Sequence, residues 1–379
     1  MAKLKVGRVI GGIVILVLII GVFMLINRGP STVTETGPIK IGFIAPLSGD
    51  VAIYGSASQG GVVIAAEEIN AAGGINGRMI EVIYEDSMCD GKEASTAANK
   101  LVNLDNVLAI IGTVCSSATL AIAPIAEENQ IVLLSAASSS PAITDAGDYV
   151  FRTWPSDSLQ GKKMAEYVYD QGIMKVGMIY QNSDYNIGLS SVFRETFEDL
   201  GGEIVAAEVY EPTAKDFRTQ LTKLKAEDPE ALYIVPYTGE AGILLKQVTE
   251  LGIEVGLYGP ETFHAQEVID SAGESAEGLI YMVPEFDEEN PLSKGILDKY
   301  EAKYGQPSPF AVITANAYDG MLLVAAALEQ EVSSNSIRDY LYTVENYPGT
   351  GGTLTIDENG DALKDFQFMI IRDGELQTL

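Results

Sequence analysis

The sequence predicts an α/β protein made of two lobes, each built around a doubly wound parallel sheet. Its 379 residues are too many for one ordinary hydrophobic core. From Ile39 onward, strand patterns and helix patterns alternate. The strands are near-continuous apolar runs, which is typical of parallel sheets covered by helices on both faces. The alternation starts again near residue 157, which indicates a second lobe.

The first series of elements consists of four strands separated by three helices. The helix over 58–72 places Val62, Ala66 and Ile69 on one side, and the Gly73-Gly74 pair ends it. The predicted strands are 39–45, 79–85, 107–112 and 131–135, and the predicted helices are 58–72, 93–104 and 118–128.

The second series repeats this pattern with strands at 175–180, 203–210, 231–237 and 256–258, and helices at 158–171, 187–200, 217–226 and 240–251. Residues 278–283 then lead back towards the first lobe, and the final strands, 353–357 and 366–371, cross between lobes. Glu358-Asn-Gly-Asp361 is a hairpin turn. We expect lobe 1 at 39–156, lobe 2 at 157–284, a return to lobe 1 at 285–368 and a last lobe 2 strand at 369–379. Three connecting segments would form the hinge.

An apolar segment near the N-terminus predicts a transmembrane helix before the first lobe. Val9 to Ile26 is eighteen residues without a charge, close to the roughly 20 that span hydrocarbon. Basic residues precede it, which places the body of the protein outside the cytoplasm. No Ala-x-Ala site follows, so an uncleaved anchor is favoured over a removed signal peptide. Residues 1–38 are therefore interpreted as membrane anchor and linker, with 27–38 as the tether.

Charge and motif content exclude several classes of function. Acidic residues outnumber basic ones by 53 to 24, so the surface repels nucleic acid and anionic lipid. The single histidine, His264, cannot supply a zinc-binding pair, and a Ser–His–Asp triad would have to be built on it. Neither a phosphate-binding Gly-x-x-x-x-Gly-Lys-Ser/Thr motif nor a helix-opening Gly-x-Gly-x-x-Gly motif occurs. We expect no metal, no cofactor and no catalysis.

A serine turn predicts a seat for a small anion. Cys115-Ser116-Ser117 follows a buried strand and precedes a helix, where free backbone N–H groups, hydroxyls and the positive end of the helix dipole meet. The other cysteine, Cys89, follows a neighbouring strand. A Cys89–Cys115 disulfide is reasonable outside the cytoplasm and would stabilise by roughly 3–4 kcal/mol; the alternative is two free buried thiols.

Other side chains follow strand ends in both predicted lobes. Tyr54, Tyr185 and Tyr237 are each expected in a loop beyond a strand, and Glu261 follows Leu257-Tyr-Gly-Pro260. Such residues are by default surface tyrosines and a solvated glutamate. Open parallel sheets, however, bind ligands at their carboxyl ends. Ser116 as anion seat, Glu261 as cation partner and tyrosine walls together suit a zwitterionic amino acid.

Beyond residue 38 the chain resembles the type I periplasmic binding proteins of branched-chain amino-acid transporters, the leucine/isoleucine/valine-binding proteins. The order and spacing of several short segments carry the resemblance. They are Ile41-Gly-Phe-Ile-Ala-Pro-Leu-Ser-Gly49, Tyr54-Gly55, Ile69-Asn-Ala-Ala-Gly-Gly-Ile-Asn-Gly77, Asp86-Ser-Met-Cys-Asp90, Ala98-Asn-Lys-Leu-Val102, Cys115-Ser-Ser117, Phe151-Arg-Thr153, Tyr258-Gly-Pro-Glu261 and Ala272-Gly-Glu-Ser-Ala-Glu-Gly278.

The resemblance implies a ligand site and a disulfide between the two cysteines. Ser116 would hold the ligand carboxylate, and Glu261 would face the ammonium from the opposite lobe. The segment Ser135-Ala-Ala-Ser-Ser139 would complete a main-chain clamp through its last three residues, Ala137, Ser138 and Ser139. In this clamp Ala137 would offer its carbonyl to the ammonium, and Ser139 would offer its hydroxyl and its N–H. Tyr54, Tyr185 and Tyr237 would wall the side-chain pocket. Ser139 stands where a threonine is usual and Val114 where a leucine is usual, which predicts a reshaped pocket.

The resulting functional hypothesis is an extracytoplasmic, membrane-tethered receptor that delivers an aliphatic amino acid to the permease and ATPase subunits of an ABC importer. We expect a monomer, because cleft closure needs no partner. One alternative keeps the fold but binds an amide, urea or an aromatic acid. Another is a sensory ectodomain, although about eight cytoplasmic residues would be too few for a signalling module. An enzyme is the least favoured alternative.

Overall fold

The computed structural model describes residues 37–379. The predicted transmembrane helix, Val9 to Ile26, lies outside the described residues. Pro38–Leu379 forms one compact unit. Within the described part of the chain, Ala311–Gln330 is the one helix long and apolar enough to cross a membrane, and most of it is buried in protein.

Fourteen strands are formed by residues 37–379. They are β1 (Ile39–Ala45), β2 (Ile80–Asp86), β3 (Ala109–Gly112), β4 (Val132–Ser135), β5 (Val150–Arg152), β6 (Lys175–Gln181), β7 (Glu203–Tyr210), β8 (Ala231–Val235), β9 (Gly256–Gly259), β10 (Ile280–Pro284), β11 (Tyr347–Gly349), β12 (Gly352–Leu354), β13 (Phe366–Arg372) and β14 (Glu375–Thr378).

The α-helices of the same region cover the sheets and fill the connections. They are α1 (Ala52–Ala71), α2 (Gly91–Lys100), α3 (Ser116–Asn129), α4 (Asp157–Asp170), α5 (Asp184–Asp199), α6 (Arg218–Ala226), α7 (Thr238–Glu250), α8 (Gln266–Ala272), α9 (Pro291–Tyr304), α10 (Ala311–Gln330) and α11 (Ser334–Leu341).

Two sheets define the two lobes. The first is wholly parallel and has the order β2-β1-β3-β4-β5, with Ile41 and Phe43 of β1 fully buried. The second has the order β14-β13-β10-β9-β8-β6-β7; β13 runs antiparallel to the other six strands. Both sheets therefore direct the carboxyl ends of several parallel strands towards one edge, which is where open α/β sheets bind ligands.

The chain passes between the two sheets three times, after β5, after β10 and before β13. Strand β13 begins at Phe366 and pairs with β10 in the second sheet, three residues before the boundary expected at 369. Close to the first crossing, Arg152 is fully buried and binds Asp361 through two hydrogen bonds, Nε to Oδ1 at 2.6 Å and Nη2 to Oδ2 at 2.7 Å. This ion pair fixes the end of β5 to the predicted hairpin turn.

The predicted bounds of most long helices and strands lie within a few residues of the observed ones. Helix α1 is an exception, because it begins at Ala52, six residues before the predicted start at 58. Gly55 reads as a helix breaker in the sequence. In the structure its backbone lies so close to β1's end that an added Cβ would stand 1.9 Å from the Pro46 carbonyl oxygen. The short elements β5, β11, β14, α8 and α11 were not predicted, because segments of three to eight residues carry too little periodicity.

Candidate ligand-binding site

A small cavity lies between the two lobes at the carboxyl ends of their strands. Residues from both lobes and from the first crossing line it. They are Tyr54, Val114, Cys115, Ser116, Ala137, Ser139, Trp154, Tyr185, Tyr237, Glu261, Thr262, Phe310 and Ile313.

The lobe 1 wall is built on the start of helix α3. Cys115 is extended, and the helix begins at Ser116, two residues before the predicted start. The predicted disulfide joins Cys115 to Cys89 and anchors this turn to the end of β2. The Ser116 hydroxyl oxygen accepts hydrogen bonds from the backbone N–H groups of Ser139, at 3.3 Å, and Ser140, at 3.1 Å. Its own proton therefore stays available to an acceptor in the cavity.

The loop after β4 forms the second part of this wall. Ala137 and Ser139 line the cavity, and the Ser139 hydroxyl donates to Asp157 Oδ2 at 3.0 Å, so its oxygen keeps the capacity to accept. Ser138 does not line the cavity, because its hydroxyl instead shares a 2.7 Å hydrogen bond with Thr119 of helix α3. Ser138 thus fixes the loop to the helix.

The lobe 2 wall centres on Glu261, which is only 7% exposed. Its Oε1 accepts from the Tyr185 hydroxyl at 3.0 Å, and its Oε2 accepts from the Gln160 side-chain amide at 2.7 Å. Among residues 37–379, no lysine or arginine forms an ion pair with it. Glu261 is therefore a buried carboxylate held by neutral donors.

Asp157 lies beside Glu261 and was not among the predicted site residues. Burial raises the pKa of Glu261, although the hydrogen bonds from Gln160 and Tyr185 act in the opposite direction. Burial and then the neighbouring Glu261 raise the pKa of Asp157 well above its usual range, against the lowering effects of Ser139 and Arg152. Two carboxyl groups thus lie in one water-poor region, and a cation bound in the cavity beside Glu261 would favour the ionised form of that carboxyl group.

Aromatic rings form the remaining walls. Tyr54 lies 4.9 Å from Phe310 and 6.2 Å from Tyr237, and Tyr185 lies 5.5 Å from Tyr237, measured between ring centroids. The prediction that all three tyrosines occupy loops was wrong for two of them. Tyr54 and Tyr185 lie in the first turns of helices α1 and α5, because both helices begin earlier than their apolar periodicity indicates.

The two lobes touch across the cavity mouth. The Tyr54 hydroxyl hydrogen-bonds the Thr238 side chain and accepts from the Thr238 backbone N–H at 3.2 Å. Ser117 Oγ accepts from the Asp184 backbone N–H at 3.3 Å. A Cβ on Gly188 would lie 2.9 Å from Pro141 Cδ, so helix α5 and the loop after β4 are in close contact. The cleft is closed in this structure.

Seven of the eight residues predicted from the sequence line this single cavity, Ser138 being the exception. Sequence reasoning missed Trp154, Thr262, Phe310 and Ile313 as lining residues, although Val114 had been noted. Trp154 is the only tryptophan and follows a strand end, but β5 has three residues and was not recognised. Thr262 could have been included as the direct neighbour of Glu261.

His264 lies outside the cavity lining. Its Nδ1 is 2.9 Å from the Tyr281 hydroxyl, and burial lowers the pKa of His264 to about 4. Residues 37–379 contain no group of three or more His, Cys, Asp or Glu side chains arranged to hold a metal ion.

The fold and this interlobe cavity define a class of solute-binding protein. The sequence profile of the family described as "Periplasmic binding protein" matches residues 38–375, and the chain belongs to that family. Proteins of this kind lie outside the cytoplasm, where a disulfide is stable.

Its relatives are named for binding rather than for catalysis. The "Leucine-, isoleucine-, valine-, threonine-, and alanine-binding protein" of Pseudomonas aeruginosa is 32% identical over 336 residues, which are 88% of this chain and 89% of the relative. Among solved structures, the leucine binding protein LivK of Thermotoga maritima has a TM-score of 0.82 at 32% identity, covering 90% of this chain and 97% of that one. LivJ of Streptococcus pneumoniae in complex with isoleucine has a TM-score of 0.81 at 33% identity, covering 90% and 99%.

Proposed function

We propose that this protein captures a neutral aliphatic amino acid outside the cytoplasm and delivers it to the permease and ATPase subunits of an ABC importer. The observation that carries the proposal is the buried Glu261 carboxylate, which faces the cavity without a lysine or arginine partner among residues 37–379. An α-ammonium group supplies the missing positive charge, and buried charges require such pairing.

The opposite wall suits the other end of a zwitterion. The Ser116 hydroxyl retains its proton, and it stands at the N-terminus of helix α3, where backbone N–H groups and the dipole favour an anion. The Ser139 oxygen and the Ala137 carbonyl add acceptors for the ammonium. These roles also agree with the names of the relatives, which include leucine, isoleucine and valine as ligands.

Closure would proceed by bending of the three segments that cross between the lobes. A ligand that touches both walls favours the closed arrangement, because it makes its full set of contacts only there. We further propose that residues 1–38 anchor the receptor in the membrane. We also propose that the receptor acts as a monomer, and light scattering of the purified protein tests this oligomeric state.

Isothermal titration calorimetry of the full-length protein with leucine, isoleucine, valine, threonine and alanine tests the proposal. Binding of at least one of them is expected, with a large loss of affinity in Glu261→Gln. The exposed Glu250, which pairs with Arg218 on the surface of lobe 2, gives a matched control in Glu250→Gln. Absence of heat with all neutral amino acids, or an unchanged affinity in Glu261→Gln, would contradict an amino-acid receptor.

A further inference from the structure

A single buried carboxylate joins the ends of three neighbouring strands in lobe 2. Glu240 lies in the first turn of helix α7 and is 3% exposed. Its Oε1 accepts hydrogen bonds from the Gln181 side-chain amide at 2.7 Å, the Tyr210 hydroxyl at 3.1 Å and the Tyr237 backbone N–H at 2.9 Å. Gln181 and Tyr210 are the last residues of β6 and β7, and Tyr237 follows β8, which pairs with the other side of β6. One oxygen atom therefore fixes three strand ends relative to one another.

The start of helix α7, which this carboxylate holds, contributes to the binding site in two ways. Tyr237 lines the cavity, and its ring centroid lies 5.5 Å from that of Tyr185. The next residue, Thr238, donates its backbone N–H to the Tyr54 hydroxyl at 3.2 Å across the cleft. Glu240 itself does not line the cavity. It can therefore act on a bound molecule only through the residues that it holds in place.

The three donors depend on this acceptor because they are buried with it. Gln181 is 4% exposed and Tyr210 is 3% exposed. Burial raises the pKa of Glu240, against the lowering effects of its three hydrogen bonds and of the charge on Lys215. Without the acceptor, the buried donors would be unpaired, which is unfavourable, and the backbone at Tyr237 would shift to relieve this cost.

We propose that Glu240 is a positioning residue for ligand capture, which holds Tyr237 against the bound molecule and Thr238 in place for closure. The inference rests on the proposed amino-acid function and adds to it a residue outside the cavity. Because all three hydrogen bonds fall on one oxygen, an uncharged oxygen at the same position should serve as well. Glu240 thus differs from Glu261, whose negative charge is the property that the ligand requires.

Three variants of the full-length protein separate position from charge. Calorimetry measures their affinity for whichever of leucine, isoleucine, valine, threonine and alanine the wild type binds most tightly. Glu240→Gln keeps an acceptor oxygen in place and should change the affinity by less than about threefold. Glu240→Ala removes the acceptor and should weaken binding by about tenfold or more. Glu240→Asp keeps the charge but withdraws the oxygen by one methylene, so its affinity should lie between the other two. As the milder change, it also keeps the test available if Glu240→Ala does not fold.

A double-mutant cycle tests whether the effect passes through Tyr237. In a Tyr237→Ala background the tyrosine wall is already absent, so adding Glu240→Ala should cost less than about threefold in affinity. A loss as large as in the wild-type background would show that Glu240 acts by another route, and would overturn the inference.

Asp319 in lobe 1 gives the matched control. It is 1% exposed and also accepts three hydrogen bonds, two from Thr350 and one from the Gly351 N–H, but it does not line the cavity. Asp319→Ala should therefore lower the free energy of unfolding and leave ligand affinity unchanged. A loss of affinity equal to that of Glu240→Ala, or a loss in Glu240→Gln as large as in Glu240→Asp, would overturn the inference while leaving the amino-acid receptor standing. Failure of the wild type to bind any neutral amino acid would instead remove the proposed function and this inference with it.

Discussion

Two buried charged clusters in this protein differ in whether their charges are balanced. At the first crossing, Arg152 and Asp361 form a two-point ion pair, and the guanidinium also donates to the Ser140 carbonyl at 3.0 Å and the Thr144 hydroxyl at 2.9 Å. At the cavity, Glu261 and Asp157 are two acids with raised pKa values, and the donors that bond them directly are neutral.

The difference separates a structural role from a binding role. A balanced pair with its hydrogen-bonding capacity filled stabilises the fold only as long as both partners are present. An unbalanced acidic cluster disfavours its own ionised form and gains most from a cation that arrives with the ligand. The two clusters should therefore respond to mutation in opposite ways.

The largest effect is expected from Asp361→Ala. Removing one partner leaves the fully buried Arg152 uncompensated, and the free energy of unfolding should fall by about 3–5 kcal/mol. Urea denaturation measures this change. The double variant Arg152→Met/Asp361→Leu, which removes both charges, should recover much of the loss; if it is as unstable as Asp361→Ala, the ion pair is not the cause.

Glu261→Gln should produce a change of about 2–5 kcal/mol in ligand affinity rather than in folding stability. Ligand affinity falls because the variant lacks the negative charge that pairs with the ammonium. Folding stability does not fall, because the variant also removes a buried carboxylate that has no lysine or arginine partner among residues 37–379. Its free energy of unfolding without ligand should equal or exceed that of the wild type. A clear loss of stability would place Glu261 with the structural cluster instead.

The acidic cluster should also give the unliganded protein an unusual dependence on pH. Because folding raises the pKa of Asp157 and Glu261, the folded state holds protons that the unfolded chain has already lost above about pH 4. The unfolded state then binds fewer protons, so stability falls as pH rises through that window and increases on acidification. The Asp157→Asn/Glu261→Gln variant should show a shallower slope of unfolding free energy against pH, with the remainder due to other buried acids such as Glu240 and Asp319; an unchanged slope would assign it wholly to those other groups.

The smallest effect is expected at an exposed pair. Arg338 and Asp339 form an ion pair with side chains 30% and 66% exposed. Asp339→Ala should lower the unfolding free energy by less than about 1 kcal/mol and leave ligand affinity unchanged. A loss comparable to that of Asp361→Ala would show that burial does not explain the contrast between charge pairs in this chain.

The sequence was informative where periodicity or motif spacing is strong. The alternation of apolar strand patterns with helix patterns predicted both sheets. The Cys115-Ser116-Ser117 turn, Glu261 and the three tyrosines were predicted as site residues, and residues from all of them line one cavity. The disulfide was predicted as well.

Other features depend on contacts between distant segments and left no local pattern. Asp157 reads as an ordinary helix-start acid, and only packing places it beside Glu261. The pairing of Arg152 with Asp361 joins positions that a sequence alone cannot align. Val114 adopts a φ of 80°, a backbone geometry that no valine predicts in advance.

The close approach of Gly188 to Pro141 has a consequence for tuning this receptor. Gly188 lies outside the cavity lining, and a methyl group there would fit helix α5 but press against the facing loop. Alanine at this position would thus disfavour the closed conformation and lower the fraction of molecules that adopt it. The apparent ligand affinity would fall in proportion to that fraction. A substitution outside the cavity would therefore change the affinity for every ligand by the same factor and leave the selectivity among amino acids unchanged.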